Sequence, residues 1–522
     1  MNTCTAVLLD TVSIQDYIFQ SNQLKENIGA SYLVDDIYKS NLKKVVKGVF
    51  GKEQDLEKWR NERDIIRIST EPFEVGFIGG GNALLFFQEK NKAVEFIQKW
   101  TADLLVQAPG ITTAVACDES FDLDDFYRSK KQLFNKLRKN KGIYIPDTLI
   151  PSHGMTAECR HSGLSANVDI RTPDGKIEYV SASTYAKIEA TDKAQKEIRK
   201  KYSDILRTDF NFTADIGQLG QKGGEDSHIA IVHIDGNDMG DRFAETKTLS
   251  EIRRLSVKVE EATETAFRHV ITHIIEHFSE FKHEFEISKD GDKDILPIRS
   301  IVLGGDDVTF VCDGRLGLYF AKIFIEAFQN QEVNGKKDLT ACAGIAIIKT
   351  KYPFSRGYGL AEALCKNAKD VRKAKGDQRS SYLDFHLSRG GFTGSPSEIR
   401  QKHFQAEQGN LIYRPYKLAP KETQDEYSFE LLLQKATELQ SPRFPRNKLY
   451  ELREALTLSK EATDRFVREL DFRGHKLPEI PARNYHKTPF ENSKTPYFDM
   501  IELLELYPQF ALPKPEVHDD KL

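Results

Sequence analysis

The pattern of apolar and polar positions is clearest between residues 226 and 392. Short apolar runs at 229–234, 301–311 and 340–347 have the length and β-branched content of buried strands. The segment 249–281 instead places apolar residues three and four positions apart, which predicts a long amphipathic helix over one face of a sheet. A Gly-Gly pair divides the run at 301–311 into the two strands of a hairpin. The predicted order is that of a ferredoxin-like β-α-β-β-α-β unit.

The same order occurs earlier in the chain, in a segment that resembles a degenerate copy of this unit. Apolar runs at 5–9, 75–86 and 112–117 stand in the corresponding places, and glycines again divide the middle run. Internal similarity of this kind indicates a structural repeat. We therefore predict an α+β protein with two ferredoxin-like domains, at 1–118 and 226–392.

The remaining two regions lack this repeat. Residues 119–225 are predicted to form a helical linker domain, with a helix at 181–199 and a flexible, glycine-rich entry to the second unit at 217–226. Residues 393–522 show several amphipathic helical patterns and are predicted to form a C-terminal helical domain. No chemistry is legible in that last region.

Composition narrows the class of protein. The chain has 522 residues, enough for several domains, with 39% hydrophobic and 30% charged residues and a net charge of −4. No apolar run approaches the roughly twenty residues that cross a bilayer, and no secretory signal is visible at the N-terminus. The six cysteines include no Cys-x-x-Cys pair, which fits free thiols in a reducing compartment. We expect a cytoplasmic protein without a membrane partner.

Carboxylates gather at two predicted strand ends of the second unit. The first strand ends in residues 235–238, Asp-Gly-Asn-Asp, and the hairpin carries 304–307, Gly-Gly-Asp-Asp, at its tip. Such pairs are also ordinary turn sequences, but the apolar strands on both sides favour a site. We predict that Asp235, Asp306 and Asp307 ligate two Mg²⁺ or Mn²⁺ ions roughly 3.5–4 Å apart and are the catalytic residues of a nucleotidyl transfer.

The first unit lacks this carboxylate pair. Gly81 and Asn82 stand where the second unit has Asp306 and Asp307, although Asp10 matches Asp235. The first unit cannot hold two ions in the same way. It is predicted to be structural, or to form the opposite wall of the site.

A lysine-rich helix end and a possible zinc ribbon are two weaker candidates. The helix predicted at 359–375 carries Lys369, Lys373 and Lys375 near its end, and such compact positive charges could clamp a triphosphate. Positive charge is also favoured at any helix C-terminus, so both interpretations remain open. Cys159, with His153 and His161 nearby, resembles a zinc ribbon that has lost its thiol set, so zinc is not expected.

These motifs together resemble the large subunit of type III CRISPR effector complexes, the polymerase/cyclase family with paired palm domains. The resemblance covers about residues 1–395. It rests on the residues at 13–19 (Ser-Ile-Gln-Asp-Tyr-Ile-Phe), 24–25 (Leu-Lys), 28–31 (Ile-Gly-Ala-Ser), 235–240 (Asp-Gly-Asn-Asp-Met-Gly) and 304–307 (Gly-Gly-Asp-Asp).

The resemblance implies an activity, a site and partners. In that family the second palm is similar to GGDEF cyclases, binds two ATP molecules with divalent metal and joins them into cyclic oligoadenylates in antiviral defence. Guide RNA-containing effector subunits hold the protein, and target RNA turns synthesis on. Metal would be held by the carboxylates of Asp235, Asp306 and Asp307. The nucleotides would lie against Gly236, Asn237, Gly304 and Gly305, with Lys375 as a candidate triphosphate contact.

The chain departs from the family pattern at its start. Many members begin with a histidine-aspartate nuclease domain, whereas this chain begins directly at the first palm. We therefore expect a short member that does not cleave single-stranded DNA. The incomplete zinc ribbon is the other departure.

Two other functions remain open. A standalone cyclic-dinucleotide synthase of the GGDEF kind would share the hairpin, but this hairpin has Asp307-Val308 where that family has Glu-Phe. The protein could also be a catalytically idle scaffold for RNA and partner subunits, as decay of the first palm is evidently tolerated. The intact acidic positions of the second palm favour an enzyme.

Overall fold

The computed structural model describes residues 3–143, 149, 151–172, 174–219, 227–333, 335–388, 394–418, 425–440, 444–481 and 483–514. Most of the predicted glycine-rich entry, at 220–226, lies outside the described residues. The first repeat and the helix after it comprise β1 (Thr3–Val12), α1 (Ile14–Phe19), α2 (Leu24–Asp36), α3 (Ser40–Phe50), α4 (Lys58–Asn61), β2 (Phe73–Gly79), β3 (Asn82–Phe87), α5 (Lys90–Gln107), β4 (Thr112–Asp122) and α6 (Phe126–Lys141).

The linker and the second repeat follow. The linker contains β5 (Val168–Arg171), β6 (Ile177–Val180), α7 (Ala182–Lys201), α8 (Ser203–Leu206) and β7 (Phe210–Asn211). The second repeat and its extension contain β8 (His228–Gly236), α9 (Met239–Glu245), α10 (Leu249–Glu276), α11 (Phe278–Glu284), β9 (Lys289–Asp290), β10 (Lys293–Ile295), β11 (Ile298–Gly304), β12 (Asp307–Asp313), α12 (Gly317–Gln329), β13 (Ala341–Lys349), α13 (Phe354–Ala374) and β14 (Ser381–Leu387).

The C-terminal region is largely helical, as predicted. It contains α14 (Pro396–His403), β15 (Gln405–Ala406), β16 (Gly409–Asn410), β17 (Tyr416–Leu418), α15 (Phe429–Glu438), α16 (Arg446–Thr457), α17 (Lys460–Phe472) and α18 (Tyr497–Leu506).

The two sheets confirm the predicted α+β fold with two ferredoxin-like units. The first sheet has the strand order β2-β3-β1-β4, and the second has the equivalent order β11-β12-β8-β13, extended by β14 and β17. Both hairpins even share a bulge at the same place, between Val75 and Phe77 in one and between Ser300 and Val302 in the other. A bulge bends its strand and increases the local twist, so the two hairpins have the same curvature.

The structure moves two of the predicted boundaries. β4 continues to Asp122, and α6 buries Phe126, Leu133 and Leu137 in the core of the first unit, which therefore extends past 118. In the C-terminal region, β17 pairs with β14 of the second sheet, and the C-terminal helices share one apolar cluster with the second unit. The C-terminal helices also pack on one another, and their apolar cluster continues into the second unit, so the two regions share one core.

Each of the two units packs a helix against a strand of the other. Helix α2 contacts strand β11 of the second unit, and α10 contacts strand β2 of the first. At the second of these contacts the buried Arg253 of α10 donates to the carbonyls of Gly76 and Val75 and to the carboxylate of Glu74. A buried guanidinium needs such partners. The contacts fix the hairpin of one unit against the helix of the other.

The sequence also predicted that the cysteines are free thiols and that no segment is apolar enough to cross a bilayer. All six cysteines are free, in agreement with the prediction of unpaired thiols. Within the described ranges, none of the helices combines the length and the apolar character that crossing a bilayer requires.

Candidate active site at the palm interface

Neighbouring strands bring three carboxylates together at one edge of the second sheet. The antiparallel register of β12 and β8 sets Asp307 opposite Asp235. Asp306 lies in the turn before β12, and its carbonyl accepts a hydrogen bond from the Gly236 N–H at 3.1 Å. A Cβ atom on Gly236 would lie 2.8 Å from the Cβ of Asp306, so only glycine lets the hairpin approach β8 this closely. The three predicted catalytic residues are thus neighbours.

The Gly304–Gly305 turn at the hairpin tip is anchored by one hydrogen bond and has open space beside it. Gly305 has a φ of 61°, and its carbonyl accepts a hydrogen bond from Thr263 Oγ1 of α10 at 2.5 Å. A Cβ atom on Gly304 would meet no atom within 4 Å. The two predicted nucleotide-binding glycines therefore form a supported turn with free space beside Gly304.

Burial and mutual repulsion raise the pKa values of the hairpin carboxyls. Burial, and after it the charge of Asp235, raises the pKa of Asp306 to about 6. Burial, followed by the charges of Asp235 and Asp306, raises the pKa of Asp307 well above its usual value. Excess negative charge is therefore concentrated at the strand ends, and a bound cation would relieve it.

Lys369 of α13 supplies positive charge at the same place. Its Nζ lies 2.6 Å from Asp235 Oδ2 and donates to the carbonyl of Gly236 at 3.0 Å. Burial alone would lower the pKa of Lys369, but the neighbouring Asp235 outweighs burial and raises it. Lys369 is one of the three lysines that the sequence offered as triphosphate contacts, but Lys375 was the one chosen. The available signal was its place four residues after the buried Cys365, which puts both on one face of the helix.

Asn237 and Asp238 secure the end of β8. The buried Asn237 donates from its N–H to the Thr340 carbonyl at 2.8 Å and from its side chain to Thr340 Oγ1 at 3.0 Å. Asp238, with a φ of 58°, pairs with the buried Arg372 at 2.7 Å. The Asn237 amide, predicted to contact nucleotide, is used here to join β8 to the segment before β13.

Lys375 lies against the C-terminal region. Its Nζ is 3.2 Å from the centroid of the Tyr427 ring and 5.8 Å from that of Tyr382. Burial lowers the pKa of Lys375, and the negative charge of Asp425 partly offsets this lowering. The triphosphate contact of Lys375 stays a prediction; of these two lysines, Lys369 is the one that contacts the carboxylate cluster in the structure.

A side chain of the first palm also contacts this site. Gln15 Nε2, on α1, donates to Asp307 Oδ2 of the second palm. A Cβ atom on Gly305 would lie 3.9 Å from the Cα of Gly80, so the two glycine hairpins face each other. Within the first palm, Asn82 lies opposite Asp10, as Asp307 lies opposite Asp235. The alignment of the two repeats made from the sequence is confirmed.

The donor set at the site fits a hard divalent cation. Carboxylate oxygens are the ligands that Mg²⁺ and Mn²⁺ prefer, and Asp307 Oδ1 is buried without a hydrogen-bond partner. Among the residues that the structure describes, no three His, Cys, Asp or Glu side chains already converge as they do around a bound ion. Lys369 and Gln15 instead occupy one oxygen each of Asp235 and Asp307. Asp235, Asp306 and Asp307 are the residues that would hold the ion.

The candidate zinc ligands have protein partners. Cys159 Sγ lies 3.6 Å from Thr184 Oγ1, and His161 is bonded to Glu26 and, at 3.1 Å, to Glu178. The side-chain bonds of His161, first that of Glu26, raise its pKa to about 9. The charged His161 thus ties the ribbon remnant to helix α2 of the first palm.

The raised pKa of Asp306 predicts a pH-dependent stability. An acid whose pKa is higher in the folded state adds stability that is lost as pH rises through that value, here about 6. We expect Asp306→Asn to stabilise the metal-free protein at pH 7.5 by about 1 kcal/mol, since partial solvation moderates the repulsion. Near pH 5 the gain should be about half as large, and it should disappear only below about pH 4, where the aspartate is protonated in the unfolded chain as well. Thermal unfolding in EDTA at both pH values measures it.

An exposed aspartate provides the control. Asp192→Asn, on the surface of α7, should change stability equally little at both pH values. A gain for Asp306→Asn that is the same at pH 5 and pH 7.5 would show that repulsion within the cluster is not its cause.

Comparisons with known proteins agree with this geometry. A family model described as Cas10/Cmr2, second palm domain, matches residues 228–377, which run from the start of β8 to just beyond α13. No protein of curated function matches the sequence. The crystal structure of Csm1 in T. onnurineus matches with a TM-score of 0.50 and 13% identity, over 97% of this chain and 70% of that one.

Csm1–Csm4 complexes match with lower scores. The Csm1–Csm4 cassette in complex with cA3 has a TM-score of 0.48 and 13% identity, over 96% of this chain and 69% of that one. The cassette in complex with AMPPNP has a TM-score of 0.47 and 15% identity, with the same coverage. The resemblance drawn from the motifs is confirmed by the family match. Residues 228–377 are thus similar to the second palm domain of Cas10/Cmr2, and the chain as a whole shares the fold of Csm1.

Proposed function

We propose that the second palm is a metal-dependent nucleotidyltransferase that joins ATP into cyclic oligoadenylates. The observation that carries this proposal is the cluster of Asp235, Asp306 and Asp307 at two paired strand ends, in the domain that matches the Cas10/Cmr2 second palm. The raised carboxyl pKa values and the neighbouring Lys369 add to it. Perturbed acids beside a fixed cation are typical of catalytic sites.

Each residue of the site has a distinct role in this proposal. Asp235, Asp306 and Asp307 hold the divalent cations, which when bound supply Lewis acidity at the attacking hydroxyl and the leaving pyrophosphate. Lys369 leaves Asp235 to neutralise phosphate charge, as a lysine does at a phosphate site. Thr263 fixes the hairpin tip through the carbonyl of Gly305. Gly304 leaves room for a nucleotide to lie against the backbone.

The proposal includes partners. We infer that the chain works with guide RNA-containing subunits of a type III effector, and that target RNA turns its synthesis on. The support is the family match of the second palm together with the motifs of the first. Co-purification of the tagged chain with such subunits, followed by RNA sequencing, tests this part separately.

Product analysis tests the activity. The purified chain is incubated with each nucleoside triphosphate and Mg²⁺ or Mn²⁺, and products are identified by mass spectrometry, with cA3 and cA4 as reference compounds. Cyclic adenylates from ATP would support the proposal. Cyclic dinucleotides from GTP would identify a GGDEF-like synthase instead. No product, even with partner subunits and target RNA present, would identify an idle scaffold.

Two substitutions in the first palm should differ in effect. The structure separates them, since a Cβ atom on Gly81 would lie 2.2 Å from Ile14 Cδ1, at a φ of 74°. We expect Gly81→Ala to displace Ile14 and the adjacent Gln15, and to lower synthesis about tenfold through misplacement of the site. Asn82→Ala should change synthesis by less than about twofold. Rates of product formation measure both, and equal losses would contradict the cross-palm contact.

A further inference from the structure

Gln15 belongs to the palm that lacks the carboxylate pair, yet it contacts the other palm. Its Nε2 donates to Asp307 Oδ2, across 292 positions of sequence. Gln15 Oε1 is buried and has no hydrogen-bond partner among the described residues. An amide with one half bonded to a site carboxylate and the other half buried without a partner is poorly explained as packing, because an unmet buried acceptor is costly.

The contact distinguishes the two oxygens of Asp307. Oδ2 is taken by Gln15, whereas Oδ1 makes no hydrogen bond to any residue that the structure describes. The polar side chain beside Oδ1 is His233, whose Nδ1 lies 3.4 Å from Oδ1 and 3.2 Å from Thr309 Oγ1. Gln15 therefore fixes the rotation of the carboxylate and leaves Oδ1 available.

Helix α1 is held firmly enough to position a ligand. Lys187 of the linker donates from Nζ to the Tyr17 carbonyl at 2.8 Å, and its ammonium lies 4.3 Å from the Tyr17 ring centroid. Phe19 stacks on Tyr358 of α13, with ring centroids 3.7 Å apart. Since α13 also carries Lys369, one helix of the second palm contacts both α1 and the carboxylate cluster. Helix α1, and Gln15 with it, is thus held by two other parts of the chain, the linker and α13.

We propose that Gln15 is a positioning residue for Asp307, through which the first palm sets the geometry of the metal site in the second. The proposal rests on the proposed function, since it assumes that Asp307 is a metal ligand. Groups that orient metal ligands by hydrogen bonds typically change metal affinity by about 10–100-fold when removed. The unpartnered Oε1 adds an acceptor for a water of the hydrated ion. In this view the first palm has lost its own carboxylate pair but remains part of the site.

Metal binding by the purified full-length chain tests the proposal without relying on activity. Mn²⁺ is titrated by electron paramagnetic resonance into the wild type, Gln15→Met and Gln20→Met. Methionine keeps the volume of glutamine but cannot donate, and Gln20 is the exposed glutamine that ends the same helix. We expect Gln15→Met to weaken Mn²⁺ binding about tenfold with an unchanged melting temperature. Gln20→Met should bind like the wild type.

Two results would overturn it, and they are distinguishable. Wild-type Mn²⁺ affinity in Gln15→Met, together with loss of binding in an Asp306→Ala/Asp307→Ala variant, would refute the positioning role alone. Undiminished binding in that double variant would refute the metal site, and the proposed function with it. If Gln15→Met unfolds, Gln15→Ala, which removes the donor without adding a charge or a metal ligand, replaces it, and wild-type affinity there equally overturns the role.

Discussion

Replacing Asp306 and Asp307 together with alanine is expected to abolish nucleotide synthesis while the chain stays folded. The two carboxylates lie at the hairpin tip, where their charges repel each other and Asp235. Removing them relieves that repulsion, so the metal-free variant should unfold at a temperature no lower than the wild type. Loss of two metal ligands should lower kcat by more than about 10³-fold, since removing one electrostatic stabiliser already costs about 10²–10³.

Product yield, Mn²⁺ titration and thermal unfolding together measure this result. The matched control is Asp35→Ala with Asp36→Ala, a second adjacent pair, of which Asp35 is paired with Lys39 at the surface of α2. The control should retain synthesis and metal binding. If the Asp306/Asp307 variant made as much product as the wild type, these carboxylates would not be part of the mechanism. If both variants lost synthesis equally, the cause would be damage to the fold.

The fold was largely predictable because it follows from local periodicity. Apolar runs set the strands, and the glycines set both hairpins, so Gly81 and Asn82 could be aligned with Asp306 and Asp307 before any coordinates. The ferredoxin-like order then placed Asp235 beside the hairpin. Domain limits were less predictable, since they depend on which core buries an apolar face. Helix α6 and strand β17 carry ordinary local patterns, and only tertiary packing assigns them to the palms.

The rest of the site depends on how separate elements pack. Gln15 reaches Asp307 only because the two palms face each other, and no local pattern reports that orientation. Lys369 lies in the last two turns of α13 and Lys375 immediately follows the helix, and the direction of each side chain about the helix axis decides which one meets Asp235. The sequence offered both lysines, and the choice of Lys375 followed from its position at the helix end. The direction in which each lysine side chain points about the helix axis could not be derived from the sequence.

Substituting Lys369 and Lys375 separately should therefore separate catalysis from stability. We expect Lys369→Met to lower kcat/KM for ATP by about 10–100-fold, since a hydrogen bond to a charged group contributes about 1.5–3 kcal/mol. Its ammonium is the one that contacts the carboxylate cluster, at 2.6 Å from Asp235. Lys375→Met should leave kcat/KM within about twofold and lower stability by about 1 kcal/mol, through loss of the contact with Tyr427. Steady-state kinetics and denaturant unfolding of both variants give the comparison.

The two lysines are matched in residue type and lie at the same end of α13, Lys369 within the helix and Lys375 directly after it, so each serves as the control for the other. A larger loss of kcat/KM in Lys375→Met would restore Lys375 as the triphosphate contact and would require α13 to turn when nucleotide binds. Equal losses would show that the charge of the helix end acts as a whole. The expected result, a kinetic defect for Lys369 and a stability defect for Lys375, would assign the phosphate contact to the lysine that already holds Asp235.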